Sequence, residues 1–215
     1  EMNLDDVKRT RRALGCTLND VVLAIVAGAA RDLVIRQGED PGTTRFRVSA
    51  PVSVRKEEQK GKLGNQVSSW IIDLPIAQAD PLERVELISE KTRELKRSRN
   101  ALGVQMLMRA ADWTPTMLLS LGARAARGQV DMIVTNVPGP QFPLYMAGAK
   151  TLALYPQVPL IKGTPLGTAL FSYDGKLFWG FNAEYDQYRL LWKFCDAIRD
   201  SFDELARLAP ETANE

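Results

Sequence analysis

The stretch GTALFSYDGKLFWGFNAEYD, residues 167–186, decides the fold class because it predicts two strands joined by a tight turn. Asp174-Gly175 stands at its centre, and a type I′ turn favours such a dipeptide because both central residues need positive φ. Aromatic and β-branched residues on either side are typical of paired strands. The sequence therefore predicts a β-hairpin here, and we interpret Ser172 and Asp174 as residues of that hairpin.

The segment TLNDVVLAIVAGAARDLVIRQG, residues 17–38, predicts a helix that begins near Thr17 and ends before Gly38. Thr17 and Asp20 have the spacing of a capping box, in which each side chain bonds a free backbone N–H. Residues 21–30 are apolar all round, which indicates burial on most faces. This apolar run falls well short of the ~20 residues needed to span a bilayer. We expect a core helix.

Two strands are expected to follow this helix. Residues 45–55, RFRVSAPVSVR, show the period-two alternation of a strand, and Pro51 predicts an edge or a bulge. A charged, glycine-bearing loop comes next, and NQVSSWIIDLP resumes as a strand at Asn65. A later β-rich run, residues 132–135, ends at the turn Pro138-Gly139-Pro140.

Two more helices are predicted from capping signals and apolar spacing. Asp80, Pro81 and Glu83 supply an N-cap, a proline at N1 and an acid at N3. The apolar face of this helix comprises Leu82, Val85, Ile88, Thr92 and Leu95. Its basic run KTRELKRSR is either a solvated face or a phosphate site, and the alternating acids upstream favour the solvated face. A last amphipathic helix starts near Gln187, with Leu191, Phe194, Cys195, Ile198, Phe202 and Leu205 on one face.

Residues 101–127 are rich in Met and Leu and predict two helical pieces broken near Pro115. Their methionines, Met106, Met108 and Met117, either pack in the core or line an acyl channel. The flanking Arg109, Arg124 and Arg127 permit the further hypothesis of contact with a membrane surface.

The order of helix, two strands, helices, further strands and helix predicts a mixed β-sheet flanked by helices, in the α/β or α+β class. A length of 215 residues suits one domain spanning residues 1–215, with two small domains as the alternative. The formal charge of +2 gives no support for a nucleic-acid partner. The polar N-terminus shows no apolar signal region, so we expect a cytoplasmic protein.

The reactive residue types limit the chemistry. Cys16 and Cys195 lie far apart with no Cys or His at metal-ligand spacing, so we expect two small buried thiols and no metal. The chain has no histidine, which excludes Ser-His-Asp and Cys-His catalysis within it. A carboxylate or a lysine side chain within this chain is not excluded as a general base.

Five segments occur in order from Thr17 to Asp186: TLNDVVLA, APVSVR, GNQVSS, TNVPGPQFPLYMAGA, and SYDGKLFWGF followed by Asp186. Together they resemble the C-terminal domain of the bacterial wax ester synthase / acyl-CoA:diacylglycerol acyltransferase (WS/DGAT) family. The resemblance implies the C-terminal half of a two-domain fold like that of chloramphenicol acetyltransferase, with the active site between the halves. The family's catalytic motif HHxxxDG belongs to the N-terminal half and is absent from this chain.

The resemblance implies an O-acyltransferase that moves a fatty acyl group from acyl-CoA, as co-substrate, to diacylglycerol or a long-chain alcohol. No resident cofactor is expected. The N-terminal domain of the same protein would supply the base, so this chain alone should be inactive. Peripheral attachment to the inner membrane face or to lipid droplets is a further expectation. The alternatives are a non-catalytic lipid- or protein-binding scaffold with the same fold and half of a condensation-type acyltransferase.

Five residues match positions that the family associates with activity or with its turn motif. Asn19 and Asp20 form the ND pair, either at the domain interface or, for Asp20, in the capping box. Arg55 contacts a CoA phosphate or an interfacial carboxylate, or is a surface arginine. Thr135 and Asn136 replace the usual Ser-Asn, and either donate near the thioester or serve the turn alone.

Overall fold

The structure is a computed structural model that describes residues 1–53, 67–101, 130–160, 163–189 and 191–210. In chain order the helices are α1 (Leu4–Ala13), α2 (Leu18–Arg36), α3 (Pro81–Ala101) and α4 (Leu191–Leu208). The strands are β1 (Met2–Asn3), β2 (Arg47–Ser53), β3 (Val67–Asp73), β4 (Met132–Pro138), β5 (Tyr145–Met146), β6 (Ala149–Lys150), β7 (Leu166–Tyr173) and β8 (Lys176–Ala183).

Six strands form a mixed sheet in the order β1-β8-β7-β4-β2-β3. The central strand β4 runs parallel to both β2 and β7, and the remaining neighbours are antiparallel. The predicted hairpin is confirmed as β7 and β8, with φ of 45° at Asp174 and 79° at Gly175. The mixed sheet with helices confirms the predicted fold class.

Helix α2 is the core of the helical layer and packs against α3 and α4. Thr17 caps it, and the predicted capping box with Asp20 is present. Residues 21–27, 29 and 30 are all buried, which confirms the prediction of a core helix. One sheet face, including Val48, Ile72 and Val134, completes the hydrophobic core.

Pro51 lies in a strand that has neighbours on both sides, β3 and β4. The described pairing of β2 with β4 is confined to Val48 and Ser49, whereas the pairing with β3 continues through Pro51. A strand that has lost one neighbour tolerates a proline because that side no longer needs an N–H donor. At Pro51 the strand β2 therefore resembles an edge strand, as predicted, although β2 as a whole lies between β3 and β4.

Several predictions need correction. Helix α1 was not predicted, although Asn3 caps it and two acids occupy its first turn. Leu82 is exposed, because the buried face of α3 includes Arg84 and Ser89 instead. Helix α4 begins at Leu191 rather than near Gln187, since the amides of Gln187 and Tyr188 bond the Glu184 carbonyl in a turn.

The second face of the sheet is crossed by an extended segment, residues 151–160, which we call the strap. It passes over β7 and β8 at two glycines. A Cβ on Gly180 would lie 1.7 Å from the Pro156 carbonyl oxygen, and one on Gly167 would lie 2.7 Å from Val158 Cγ1. The close approach of the strap therefore depends on glycine at position 180, where the obstructing atom belongs to the backbone, and less strictly on glycine at position 167, where it belongs to a side chain.

Among the described residues, no single helix has the length and hydropathy to cross a bilayer. The bent pair α1 and α2 passes that test of length and composition together, with 97° between the two helices.

Candidate functional site

Two asparagines distant in sequence meet where α2 begins and β4 ends. Asn136 Nδ2 donates a hydrogen bond of 2.8 Å to Asn19 Oδ1. Asn19 is the second residue of α2, and Asn136 points to the same sheet face as the buried Met132 and Val134 because side chains alternate along a strand. Asn19 is exposed and Asn136 half-buried, so the amide pair lies at the rim of the core.

The amide pair keeps hydrogen-bonding capacity beyond its mutual contact. An asparagine side chain offers two N–H donors and one carbonyl acceptor. Within the described part of the chain, neither Asn19 Nδ2 nor Asn136 Oδ1 has a hydrogen-bond partner. The site can therefore donate to a substrate oxygen and accept from a hydroxyl, but an amide does not act as a base near neutral pH.

Asp20 follows Asn19 in α2 and is buried, with 3% of its surface exposed. Its Oδ2 accepts from the Thr17 backbone N–H at 2.9 Å, and the Asp20 N–H donates to Thr17 Oγ1 at 3.2 Å. Its Oδ1 accepts from the Thr92 hydroxyl of α3 at 2.7 Å. These contacts give Asp20 the predicted capping role and make it the link between α2 and α3. The residue patterns did not reveal Thr92, since its spacing indicated only a core position.

Thr135 is half-buried and faces the other side of the sheet, because it alternates with Asn136 along β4. The structure therefore does not bring Thr135 to the amide pair. Arg55 lies outside the described residues, as do the methionines and arginines predicted between residues 101 and 127 and most of the loop after β2.

The Pro138-Gly139-Pro140 turn is fixed to β7 by Ser172. The Gly139 N–H donates to Ser172 Oγ at 3.1 Å, and Gln141 Nε2 donates to the same oxygen at 3.2 Å. A Cβ on Gly139 would lie 2.3 Å from the Ser172 carbonyl oxygen. Ser172 is thus more than a hairpin residue, because it holds the turn that follows Asn136.

Cys16 precedes the cap of α2 and is half-buried rather than buried as expected; Cys195 is likewise half-buried. The pKa of the Cys16 thiol is raised to about 11, chiefly because burial removes hydration and to a smaller extent because Asp20 is negatively charged. The thiol is therefore protonated at neutral pH, and it is not a ready nucleophile because the thiolate is the reactive form.

We expect Cys16 in a Cys195→Ser variant to react with iodoacetamide with an apparent pKa near 11. At pH 8 its thiolate fraction should be about 100-fold lower than that of an ordinary cysteine. The raised pKa also implies a contribution to stability that is complete below the unfolded pKa and is lost as the pH rises towards 11. Alkylation rates across pH 7–11 in the folded and urea-unfolded chain test this. An apparent pKa below 9 in the folded chain contradicts it.

A separate cleft of about 470 Å³ lies towards the far end of α2. Its buried Arg84 donates from Nη1 to the carbonyls of Gln78 and Ala79 at 3.1 and 2.9 Å. Glu204 lies 3.9 Å from Arg84 Nη2. These contacts tie the loop before α3 to the helices, and the cleft is not part of the asparagine site. Across the described ranges, no three His, Cys, Asp or Glu side chains are grouped to hold a metal ion.

The comparisons with known proteins agree with this architecture. Residues 63–206 match the WS/DGAT C-terminal domain model. A probable diacylglycerol O-acyltransferase, tgs1, from Mycobacterium tuberculosis is 30% identical over 214 residues, covering 96% of this chain and 45% of that protein. O-acyltransferase WSD from Acinetobacter baylyi is 29% identical over 178 residues, covering 81% of this chain and 38% of WSD.

Solved structures show the same fold. The wax ester synthase/diacylglycerol acyltransferase from Marinobacter aquaeolei superposes with a TM-score of 0.71 at 25% identity, covering 96% of this chain and 47% of that one. The first condensation domain of the CDA synthetase gives 0.57 at 16% identity, covering 98% of this chain and 45% of its own, which shows the shared chloramphenicol-acetyltransferase-like fold. The chain spans about half the length of the relatives that it matches. It belongs to the WS/DGAT family and contains that family's C-terminal domain.

Proposed function

We propose that this chain is the C-terminal half of an O-acyltransferase that joins a fatty acyl group from acyl-CoA to diacylglycerol or a long-chain alcohol. Membership of the WS/DGAT family and relatives named as O-acyltransferases support the general reaction. The observation that carries the proposal is the hydrogen bond between Asn136 and Asn19, because it joins the ND pair to a residue two positions before the Pro-Gly-Pro turn.

In the proposed reaction the acceptor hydroxyl attacks the thioester carbonyl of acyl-CoA. Its proton passes to a base, and the CoA thiolate leaves and is protonated as the new ester forms. The chain has no histidine, so an HHxxxDG motif in a preceding half would supply the base. The Asn19 N–H donors have no partner among the described residues, and they are suited to orient the acceptor or to stabilise the negative oxygen.

The remaining roles are also proposals. Arg55 would contact a CoA phosphate or an interfacial carboxylate, and Thr135 would act from the other face of β4. The partners would be the N-terminal domain and the two substrates, with no resident cofactor and no nucleic acid. The enzyme would be cytoplasmic and would work at the inner membrane face or at lipid droplets.

The reading frame upstream of Glu1 gives the first test. An HHxxxDG motif there, or on a chain that copurifies, supports the proposal, and its absence from both contradicts it. The second test follows CoA release from palmitoyl-CoA with a diacylglycerol or a long-chain alcohol. The longer polypeptide should turn over and the isolated chain should not. Robust turnover by the isolated chain would show that the base lies within it.

Replacing Asn19 with alanine in the longer polypeptide should lower kcat about tenfold or more, because a hydrogen-bond donor is lost and Asn136 loses its partner. The melting temperature should change little, since Asn19 is exposed. Asn19→Asp is the matched variant, because it keeps the acceptor for Asn136 but loses both donors. If the donors act on substrate, Asn19→Asp is also impaired. Full activity in Asn19→Ala would mean that Asn19 has no role in the reaction and is only a residue of the first turn of α2.

A further inference from the structure

The first turn of α2 carries Asn19, so the direction of the Asn19 amide depends on how that turn is held. The first N–H groups of a helix have no partner within it, so they depend on side chains or water. The chain also changes direction just before α2, with a φ of 62° at Gly15 and 97° between α1 and α2. The position of Asn19 therefore depends on the side-chain contacts that this turn makes.

Asp20 supplies such contacts with both of its carboxylate oxygens. Its Oδ2 accepts from the Thr17 N–H within the turn, and its Oδ1 accepts from the Thr92 hydroxyl of α3, 72 residues away in sequence. Asp20 is 3% exposed and Thr92 is 2% exposed, so water has little access to the bond between them. A carboxylate that is bound through both oxygens keeps one orientation. It thereby fixes the first turn of α2 to α3.

The Thr92 hydroxyl has a single proton and two acceptors within reach. The Ser89 carbonyl of the same helix lies 3.2 Å from Thr92 Oγ1, whereas Asp20 Oδ1 lies 2.7 Å from it. A helical threonine commonly bonds a carbonyl of the preceding turn. The shorter distance and the negative charge direct the proton to Asp20 instead. Thr92 therefore serves a contact between two helices rather than its own helix.

The same contacts limit what Asp20 itself can do. Its carboxylate is buried and both oxygens already accept hydrogen bonds, whereas the Asn19 amide bonds Asn136 at the end of β4. Successive side chains leave a helix about 100° apart, so the two residues face different neighbours. The ND pair thus consists of one residue that faces the asparagine site and one that holds it in place.

We infer that Thr92 is a positioning residue of the proposed acyl transfer: through Asp20, its hydroxyl sets the direction in which Asn19 presents its N–H donors. This inference rests on the proposed function, which assigns those donors to the acceptor or to the negative oxygen. A displacement of about 1 Å in a positioning group can lower a rate about 100-fold. The loss of one buried hydrogen bond behind Asn19 is therefore enough to lower kcat.

The test replaces Thr92 with valine in the longer polypeptide, which removes the hydroxyl and keeps the volume. We expect kcat to fall about three- to tenfold while KM for acyl-CoA stays within about twofold. Thr92→Ala also removes the hydroxyl and should have the same effect, whereas Thr92→Ser keeps it and should restore kcat. Ser89→Ala is the matched control on α3, because the buried Ser89 hydroxyl has no partner among the described residues. It should leave kcat unchanged.

A double-mutant cycle with Asn19→Ala separates positioning from general destabilisation. If Thr92 acts through Asn19, Thr92→Val should lower kcat in the wild-type background and not lower it further in Asn19→Ala. Three results overturn the inference: full kcat in Thr92→Val, losses that multiply in the double variant, or a Thr92→Ser variant that is as impaired as Thr92→Val.

Nuclear magnetic resonance tests the geometry without turnover. In the longer polypeptide with isotope-labelled asparagine, Asn136→Ala identifies the Asn136 side-chain signal by its loss. That signal should move in Thr92→Val and stay in place in Ser89→Ala, because the hydrogen bond from Asn136 to Asn19 changes only in the first. An unmoved signal in Thr92→Val overturns the inference. A moved signal in a protein that does not turn over acyl-CoA overturns the proposed function and leaves the link between Thr92 and Asn19 in place.

Discussion

Replacing Asp20 with alanine should lower the free energy of unfolding by about 3 to 4 kcal/mol. The carboxylate accepts from the Thr17 N–H and from the buried Thr92 hydroxyl. In this variant the Thr17 N–H loses its partner, and the Thr92 hydroxyl keeps only the Ser89 carbonyl, 3.2 Å away. A hydrogen bond to a charged group contributes roughly 1.5 to 3 kcal/mol, and a buried donor without a partner is costly. The loss is a large share of a typical domain stability of about 5 to 15 kcal/mol. Urea unfolding followed by circular dichroism measures it.

Asp32→Ala on the same helix is the control. The Asp32 side chain is 37% exposed, and in the described part of the chain it pairs only with Arg36 one turn away, so its loss should change stability by less than about 0.5 kcal/mol. Asp20→Asn should fall between the two, because the amide keeps one acceptor. A loss below 1 kcal/mol for Asp20→Ala means that water replaces the carboxylate, and Asp20 then has no linking role.

The helices with strong local signals could be predicted from sequence. Thr17 and Asp20 fix the start of α2 through contacts three residues apart, and the apolar run from residue 21 makes burial on all faces the consistent outcome. The turn at Asp174-Gly175 is equally local, because its backbone angles suit only a few residues. These elements need no knowledge of distant neighbours.

The assembly of the site could not be predicted in the same way. Asn19 and Asn136 were each identified, but their contact depends on β4 lying between β2 and β7 with its end beside the start of α2. Nothing local specifies that order of strands. Thr92 shows the same limit, since a threonine at core spacing becomes a partner of Asp20 only once α3 packs on α2.

The exposed segment 141–150 is a third case, because burial is a tertiary property. The segment PQFPLYMAGAKTLALY has the composition of a buried region, and only the structure shows residues 141–150 outside the core. The shift of the buried face of α3 from Leu82 to Arg84 has a related cause. Arg84 reaches two carbonyls of the preceding loop, so burying it satisfies groups that a leucine would leave unpaired.

Replacing Gly180 with alanine should destabilise the chain by about 2 to 3 kcal/mol and release the strap from β8. The new Cβ would lie 1.7 Å from the Pro156 carbonyl oxygen and 2.9 Å from its carbon, so backbone has to move. Overpacking of this kind costs about 1 to 3 kcal/mol. Urea unfolding measures the loss of stability. Limited chymotrypsin digestion should show faster cleavage near Leu152 and Tyr155 if the strap is displaced.

Two other glycines provide a graded control, because the obstructing atoms differ. At Gly167 the new Cβ meets Val158 Cγ1 at 2.7 Å, a side-chain methyl that rotates away, so the loss should be smaller than at Gly180. At Gly42 it meets only the exposed Asp40 side chain, from 3.2 Å, so alanine there should be nearly neutral. Equal stability of all three variants would mean that the strap does not pack against β8 in solution. If the Gly180→Ala variant is less stable but the strap is not cleaved faster, then β8 moves to accommodate the new Cβ and the strap stays in place.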